Sequence, residues 1–255
     1  MPTGWDHPDT ARYYEAFCEA HGRYREANLA LTGAACLERG QRVLDLAAGT
    51  GRTAEAALGW GCQVTCVEPA GAMRDAGRRR LPKARWLAEW PERGERFDRV
   101  LCGAAIWQMM PLGEMFAHIA ELVKPGGGFA FNVPSLYLGE ADEPGGGSDP
   151  RLSELVALLA GGRISVAAAM EASPGADEIE RLLRGAGFAP ARWCARSRLT
   201  QAALRDWMKI PVLTDALLDG MAADDRAALV DAAYARCDPA SWRWEAWTGW
   251  TSWRL

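Results

Sequence analysis

Short apolar runs alternate with amphipathic segments through the middle of the chain. The runs are rich in β-branched residues and are bounded by Gly, Pro and acidic residues, which is typical of buried strands. The segments between them repeat apolar positions every three or four residues, as helices packed on one face do. This alternation predicts a parallel sheet covered by crossover helices. The strands predicted up to residue 134 are RVLDLA, CQVTCVEP, ARWLAEW, FDRVLCGAAI and GFAFNVP.

Both ends of the chain differ from this central alternation. Residues 8–37 carry aromatic and apolar residues at helical spacing and predict a helical arm, with Asp9 or Thr10 as the N-cap. The segment 139–150 is rich in Gly, Pro and acid and predicts a loop. Beyond it the pattern predicts helices at 151–160, 176–186 and within 201–236, and a strand ARWCARSRL.

Tryptophan is concentrated at the C-terminus, in SWRWEAWTGWTSWRL. Trp244, Trp247, Trp250 and Trp253 recur every third residue, which matches neither a strand nor a helix. We therefore expect a bulge or turn at Gly249. Core packing is one interpretation of these residues; a cage for a cationic or flat aromatic substrate is the other.

Composition narrows the class of protein. The 255 residues are 49% hydrophobic and 24% charged, as in ordinary globular proteins, and the net charge of -4 offers no general attraction to nucleic acid or an anionic membrane. The seven Cys form no C-x-x-C pair, and the N-terminus has no secretory pattern. We expect a cytoplasmic protein with a small-molecule substrate and neither nucleic acid nor membrane as a partner; its oligomeric state stays open.

The chemistry-bearing stretch runs from Arg42 to Met73. Gly49-Thr50-Gly51 follows the first strand and opens a helix, so backbone amides and the positive helix end point into the crevice there. Glu68 ends the second strand and is placed to accept hydrogen bonds from both hydroxyls of a ribose. Together they predict a ligand that carries a nucleoside.

Two classes of enzyme fit a glycine turn of this kind. Residues 49–54 also match the G-x-G-x-x-[G/A] pattern of NAD-dependent oxidoreductases. Asp45 discriminates between them, because an acid before the glycines repels a pyrophosphate but serves a ligand with an ammonium group.

The motifs resemble those of class I S-adenosylmethionine-dependent methyltransferases. VLDLAAGTGRT is similar to the first motif and VTCVEPAGAM to the second, while FDRVLCGAAIWQM and IAELVKPGGGFAFNVP are similar to the fourth and fifth strands with their flanks. The resemblance covers residues 40–134 and is greatest to bacterial small-molecule enzymes of the ubiquinone and menaquinone methyltransferase group. Ala47 departs from it, since Gly is usual there.

The resemblance implies an α/β fold with three layers, Rossmann-like, and a seven-stranded, mostly parallel sheet whose last strand is antiparallel. Residues 1–39 would form an arm or lid, and residues 40–255 the methyltransferase domain, with cover insertions at about 134–175 and 201–236. The implied cofactor-binding residues are Tyr14, Asp45, Ala47, Gly49, Gly51, Glu68, Pro69, Met73, Glu89, Trp90 and Ala104. The substrate pocket would include Tyr13, Trp107 and Gln108.

Within that site the methionine part of the cofactor would lie against Asp45 and the turn at 47–51, with Ala104 near the same end. Glu68 would hold the ribose, Met73 would pack on the adenine and Glu89 would accept its amino group.

The resemblance implies methyl transfer from S-adenosylmethionine to a small, aromatic or apolar molecule of small-molecule or natural-product metabolism, by direct displacement. The sulfonium methyl is already activated, so alignment of the acceptor is the main requirement. The segment after the fourth strand contains neither His nor acid, no metal-ligand spacing is present, and no catalytic residue is assigned. The alternatives are an NAD-dependent oxidoreductase and a non-catalytic protein that binds S-adenosylmethionine. The acceptor atom, whether O, N, C or S, stays open.

Overall fold

A computed structural model of the chain describes residues 4–109, 111–140, 143–147, 152–161, 174–218 and 220–255. Parts of the predicted loop at 139–150 and of the cover at 134–175 therefore lie outside the described residues, as does Met110. Within the described ranges no helix has the length and apolar character needed to cross a membrane.

One mixed sheet forms the centre of the molecule. The strands are β1 Arg42–Leu46, β2 Gln63–Val67, β3 Arg85–Leu87, β4 Phe97–Gly103, β5 Val123–Pro134, β6 Glu143–Pro144, β7 Phe188–Thr200 and β8 Trp242–Arg254. Their order in the sheet is β3-β2-β1-β4-β5-β8-β7, and the two-residue strand β6 pairs with β8 beyond the end of β5. β1 to β5 are parallel, whereas β8 is antiparallel to both β5 and β7. The predicted sheet is confirmed, with the antiparallel strand lying inside it.

Helices flank the sheet and extend over one end of it. Short 3₁₀ turns occur at Gly4–Asp6, Ile106–Gln108 and Ser135–Leu138. The α-helices of the described residues are α1 Pro8–Ala20, α2 Arg23–Ala34, α3 Arg52–Gly59, α4 Gly71–Arg80, α5 Leu112–Leu122, α6 Leu152–Leu159, α7 Ala176–Gly185, α8 Gln201–Met208, α9 Pro211–Leu218 and α10 Ala223–Tyr234.

The N-terminal arm consists of two helices, α1 and α2. The prediction of Asp9 or Thr10 as the N-cap is wrong, because His7 occupies that position and its Nδ1 accepts the N–H of Asp9 at 3.2 Å. Pro8 is the first residue of the helix, where its fixed φ fits and its missing N–H has no intrahelical partner to lose.

The prediction of a bulge or turn at Gly249 is also wrong. β8 keeps one continuous register with β5 and with β7, and a spacing of three simply places successive tryptophans on opposite faces of the strand. Trp247 and Trp250 are completely buried, which fits core packing. Glycine is needed at position 249 because the ring of Trp193 packs directly on its backbone: a Cβ there would lie 2.1 Å from that ring.

Separate apolar clusters fill the layers. One includes residues of β4, β5, α5 and α7, and another includes residues of α2, α3, β1 and β2. A third joins α6, α8, α9 and α10, and a fourth joins Phe17 of α1 to Ala203 of α8 and Ile210. The arm is thus packed against the helices that follow β7, and these two parts approach the carboxyl ends of the parallel strands together.

Candidate active site

A cavity of about 740 Å³ opens at the carboxyl ends of β1, β2 and β4. Its floor consists of the segments that follow those strands, including residues 46–49, 67–70 and 103–105. The arm contributes Trp5, Tyr14 and Tyr24 to the wall, and α9 contributes Leu213. The cavity therefore lies between the sheet and the helical cover.

Most of the predicted site residues meet at this cavity, although the structure does not test what they bind. The lining includes Tyr14, Ala47, Gly49, Glu68, Pro69, Met73, Glu89, Trp90, Ala104, Trp107 and Gln108. The predicted residues Tyr13, Asp45 and Gly51 lie nearby but are not part of the lining.

Glu68 links the glycine turn to the end of β2. Its Oε2 accepts the N–H of Gly49 at 2.7 Å and its Oε1 accepts the N–H of Ala70 at 2.8 Å. Burial raises the pKa of Glu68, while these two hydrogen bonds act in the opposite direction. A carboxylate oxygen can accept more than one hydrogen bond, so both oxygens retain capacity for the hydroxyls of a ligand.

Two alanines of the cavity lining have left-handed backbones. Ala47 has φ +49° and Ala104 has φ +54°. Glycine adopts this region without the steric cost that a Cβ brings, about 1–2 kcal/mol, which explains why Gly is usual at position 47 in the motif. Such strain persists only where the surrounding structure holds it, and it clusters at ligand sites.

Gly51 also has a positive φ, of +80°, but its role is packing. A Cβ at this position would lie 2.9 Å from Leu81 and 3.0 Å from Trp86. Gly51 therefore allows the start of α3 to approach these side chains, and its predicted contact with the cofactor stays a prediction.

Asp45 lies behind the glycine turn. It is completely buried, and its Oδ2 accepts the N–H of Ala54 in the first turn of α3 at 2.9 Å. Its Oδ1 has no hydrogen-bond partner among the described residues. Burial raises the pKa of Asp45 to about 8, and the neighbouring charge of Glu68 acts in the same direction. In this structure Asp45 supports α3, and its predicted contact with a ligand ammonium group stays a prediction.

The pKa of Asp45 makes stability dependent on pH. An acid whose pKa is higher in the folded chain than its unfolded value of about 3.9 holds its proton more tightly when folded. The stabilisation of the folded chain by this proton is fully present below the unfolded pKa and is lost as pH rises towards 8. Urea unfolding gives the free energy of unfolding of Asp45→Asn and of the wild type at each pH. We expect the value of the variant minus that of the wild type to be at least about 1 kcal/mol larger at pH 8 than at pH 5. Asp75→Asn, at an exposed acid, should show no such difference; equal behaviour of the two variants would contradict this role.

Tyr13 is directed away from the cavity. Its hydroxyl donates to Asp224 Oδ1 at 3.1 Å and so joins α1 to α10. Tyr14, one residue further on, faces the cavity and contacts Trp5 and Tyr24 with ring centroids 6.1 and 5.6 Å apart. Adjacent residues of a helix point about 100° apart, so only one of the two tyrosines faces the cavity.

The cavity lining also contains the residues predicted for adenine. Met73 is buried and lies close to Gly49: a Cβ added to Gly49 would be 3.5 Å from the methionine Cε. Glu89 is exposed at the rim, and Trp90 is half-buried and stacks on His118 with ring centroids 4.2 Å apart.

None of the three histidines lines the cavity. His7 caps α1, His118 stacks on Trp90, and His21 Nε2 lies 2.8 Å from Asp206 Oδ2 at the contact between α1 and α8. Among the described residues no three His, Cys, Asp or Glu side chains are grouped as metal ligands would be.

Several lining residues were missed by sequence reasoning. Tyr24 and Asn28 are four residues apart on α2 and so share a face, which was a readable signal. Arg52 directly follows the glycine turn and could also have been noticed. The other missed residues, among them Trp5, Thr53 and Leu213, carried no local signal.

The comparisons with known proteins agree with this geometry. A family model described as a methyltransferase domain matches residues 43–127, about a third of the chain. This match confirms the predicted enzyme class, an S-adenosylmethionine-dependent methyltransferase, and with it the predicted cofactor. The matched residues run from β1 to β5 and include the glycine turn, Glu68 and the segment after β4.

Solved structures share the fold of the methyltransferase domain at low identity. Phosphoethanolamine N-methyltransferase 2 of Haemonchus contortus, in complex with phosphomonomethylethanolamine and S-adenosylhomocysteine, has a TM-score of 0.52 and 18% identity over 89% of this chain and 52% of that one. A putative methyltransferase of Bacillus halodurans has a TM-score of 0.55 and 14% identity over 89% of this chain and 98% of that one. The [4+2]-cyclase SpnF has a TM-score of 0.54 and 16% identity over 89% and 80%.

These likenesses confirm the predicted Rossmann-like fold. The chain spans about half the length of the Haemonchus enzyme. No curated protein matches the chain.

Proposed function

We propose that the protein transfers the methyl group of S-adenosylmethionine to a small, aromatic or apolar molecule by direct displacement, mainly through positioning. The observation that carries this proposal is the cavity itself, which combines a nucleoside-type floor around Glu68 with an aromatic wall from the arm. The resemblance of the motifs to the ubiquinone and menaquinone methyltransferases supports an acceptor of this class. We propose a cytoplasmic role without nucleic acid or membrane as a partner.

The residues present fit the cofactor. Glu68 would accept the ribose hydroxyls with the capacity that its two backbone hydrogen bonds leave free. The small residues Ala47, Gly49 and Ala104 let a ligand approach the backbone closely. Met73 would pack against the adenine, and Glu89 at the rim would accept its amino group.

The acceptor would lie against the aromatic wall. Trp107 stacks on Tyr137 with ring centroids 4.6 Å apart and an interplanar angle of 10°, and this packing holds the indole in one orientation. Tyr14 and Tyr24 face the same cavity from the arm. Flat aromatic surfaces of this kind favour a flat or apolar acceptor and exclude water from the reacting atoms.

When bound, S-adenosylmethionine supplies a methyl group already activated on a positively charged sulfur. The chain then needs to align a nucleophile and keep the cavity dry. Burial raises the pKa of Tyr24 to about 12 and that of Tyr14 well above its ordinary value, so both hydroxyls stay protonated near neutral pH. Alignment contributes roughly 7–11 kcal/mol, whereas a general base contributes roughly 3–5 kcal/mol, so positioning is the larger effect.

The proposed cofactor is tested by binding. We expect the wild-type protein to bind S-adenosylmethionine and S-adenosylhomocysteine in preference to NAD, because the segment that contains Gly49 and Glu68 matches a methyltransferase domain. Isothermal titration calorimetry with the three ligands measures this. Tight NAD binding without binding of either methionine nucleoside would instead favour an oxidoreductase.

The positioning mechanism is tested by substituting an aromatic side chain of the cavity wall. We expect Trp107→Ala to reduce turnover more than tenfold, because the stacked indole that would orient the acceptor is lost. Single replacements of His7, His21 and His118 by Ala should each cost less than about tenfold, since none lines the cavity. Trp60→Ala, at an exposed tryptophan, serves as the control. A thousandfold loss in a folded His variant would identify that residue as a base and reject positioning as the main effect.

A further inference from the structure

The hydroxyl of Tyr24 is oriented by a hydrogen bond from outside the cavity. Tyr24 belongs to α2 and lines the cavity, and its hydroxyl oxygen accepts the indole N–H of Trp207 on α8 at 3.0 Å. An indole N–H can only donate, so this bond uses one lone pair of the oxygen and leaves the hydroxyl hydrogen to point elsewhere. Among the described residues, none accepts that hydrogen. Tyr24 is therefore held as a donor at the cavity wall.

Two neighbouring groups strengthen Tyr24 as a donor. The guanidinium of Arg23 lies 5.5 Å from the centre of the Tyr24 ring, and its positive charge favours negative charge on the phenol oxygen. The hydrogen bond from Trp207 acts in the same direction. Burial outweighs both and raises the pKa of Tyr24 to about 12, so the hydroxyl keeps its hydrogen near neutral pH. The group is thus polarised for donation and still protonated.

Tyr24 lies on the side of the sheet where the aromatic wall stands. Its ring packs edge-on against Trp247 of β8, the strand next to β5, with ring centroids 6.1 Å apart. Tyr137, in the turn after β5, stacks on Trp107, and the charge of Arg23 acts on the Tyr137 hydroxyl as well. The end of β2, which carries the nucleoside-type floor, is separated from β5 by β1 and β4. This position assigns Tyr24 to the methyl acceptor and not to the nucleoside.

We propose that the Tyr24 hydroxyl donates a hydrogen bond to an oxygen substituent of the methyl acceptor, which is therefore a flat aromatic molecule with a carbonyl or similar oxygen. This inference rests on the proposed function and deepens it, because it narrows the class of acceptor.

The two parts of the wall have different tasks under this proposal. Trp107 fixes the plane of the aromatic ring, and Tyr24 fixes how the ring is turned within that plane. A site that hydrogen-bonds a substituent rejects an analogue that lacks it, because the buried polar group of the site is then left without a partner. Trp207 acts on the acceptor only through Tyr24 and is a positioning residue.

Two probes of equal shape separate the hydrogen bond from aromatic packing. The ketone 2-acetylnaphthalene and the alkene 2-isopropenylnaphthalene share one skeleton, but only the ketone has an oxygen that accepts. Equilibrium dialysis of the full chain with saturating S-adenosylhomocysteine gives the dissociation constant of each probe. We expect Tyr24→Phe to weaken the binding of the ketone roughly 5- to 20-fold, the effect of one hydrogen bond, and to leave the alkene bound as tightly or more tightly.

A second tyrosine provides the matched control. Tyr234 on α10 also lies under an arginine, with the guanidinium of Arg205 4.8 Å from the ring centre, but it is outside the cavity lining. Tyr234→Phe should change the affinity of neither probe more than threefold. Trp207→Phe keeps an aromatic ring and removes the N–H that orients the Tyr24 hydroxyl, so it should reduce the affinity for the ketone relative to the alkene.

Each contrary result rejects a different claim. Equal losses for both probes in Tyr24→Phe, or no loss for the ketone, would overturn the hydrogen bond to the acceptor. A loss of more than threefold in the calorimetric affinity of that variant for S-adenosylhomocysteine would assign the hydroxyl to the cofactor and overturn it as well. Equal losses for both probes in Trp207→Phe would reject the positioning role of Trp207.

The wild type distinguishes this inference from the proposed function. Binding of S-adenosylhomocysteine without binding of either probe would overturn the aromatic class of acceptor, and with it the role of Tyr24. Failure of the wild type to bind S-adenosylhomocysteine at all would overturn the proposed function itself.

Discussion

Glu245→Gln should destabilise the folded protein by about 3–5 kcal/mol, the usual cost of removing one partner of a buried ion pair. Glu245 on β8 is 4% exposed, and it accepts from the guanidinium of Arg23 on α2 through both carboxylate oxygens, one of them at 2.8 Å. The same carboxylate accepts the indole N–H of Trp247 at 3.0 Å. The substitution leaves a buried charge without its counterion and detaches the arm from the sheet. Urea unfolding of the purified variant measures the loss.

An exposed pair provides the matched control. Glu178 and Arg181 on α7 also form a bidentate ion pair, but both side chains are exposed to solvent. Glu178→Gln should therefore leave the urea midpoint of unfolding essentially unchanged. A double replacement, Arg23→Met with Glu245→Leu, should be less destabilising than Glu245→Gln alone, because no unpaired charge remains. A loss below 1 kcal/mol for Glu245→Gln would show that the buried pair does not anchor the arm.

Glu68→Ala should weaken the binding of S-adenosylhomocysteine by about 1.5–3 kcal/mol, or roughly 10- to 150-fold, the range of hydrogen bonds to charged groups. The carboxylate is buried at the end of β2 and is oriented by the amides of Gly49 and Ala70, so little rearrangement is needed for it to accept two hydroxyls. The affinity of 5′-methylthioadenosine should fall by the same factor, because both ligands contain the ribose. Calorimetry measures both affinities.

The control for Glu68→Ala is a variant that also removes one negative charge but lies outside the cavity. Asp75→Ala removes an exposed acid from α4 and should alter affinity less than twofold. Circular dichroism should show both variants folded. Unchanged affinity in Glu68→Ala would mean that the ribose is held elsewhere in the cavity, and the assignment of Glu68 would then be rejected.

The sequence by itself determined the sheet and the end of it at which the site lies. Apolar runs that end in small or acidic residues predicted β1, β2 and β4, and the carboxyl ends of parallel strands necessarily meet at one edge. Glu68 and Gly49 could be assigned to one cavity for that reason, although 19 residues separate them. The motif match to a methyltransferase domain covers this part of the chain.

Tertiary structure alone decided the upper wall of the cavity and the roles of several polar residues. Trp5 and Leu213 reach the cavity because the arm packs against the helices after β7, and no local periodicity encodes such a contact. Asp45 reads as a ligand contact in sequence, but its side chain turns under the glycines to Ala54, where burial governs its charge. Arg52 and Asn28 join the cavity wall only when α2 and α3 pack together, because a side chain's surroundings are set by the tertiary structure.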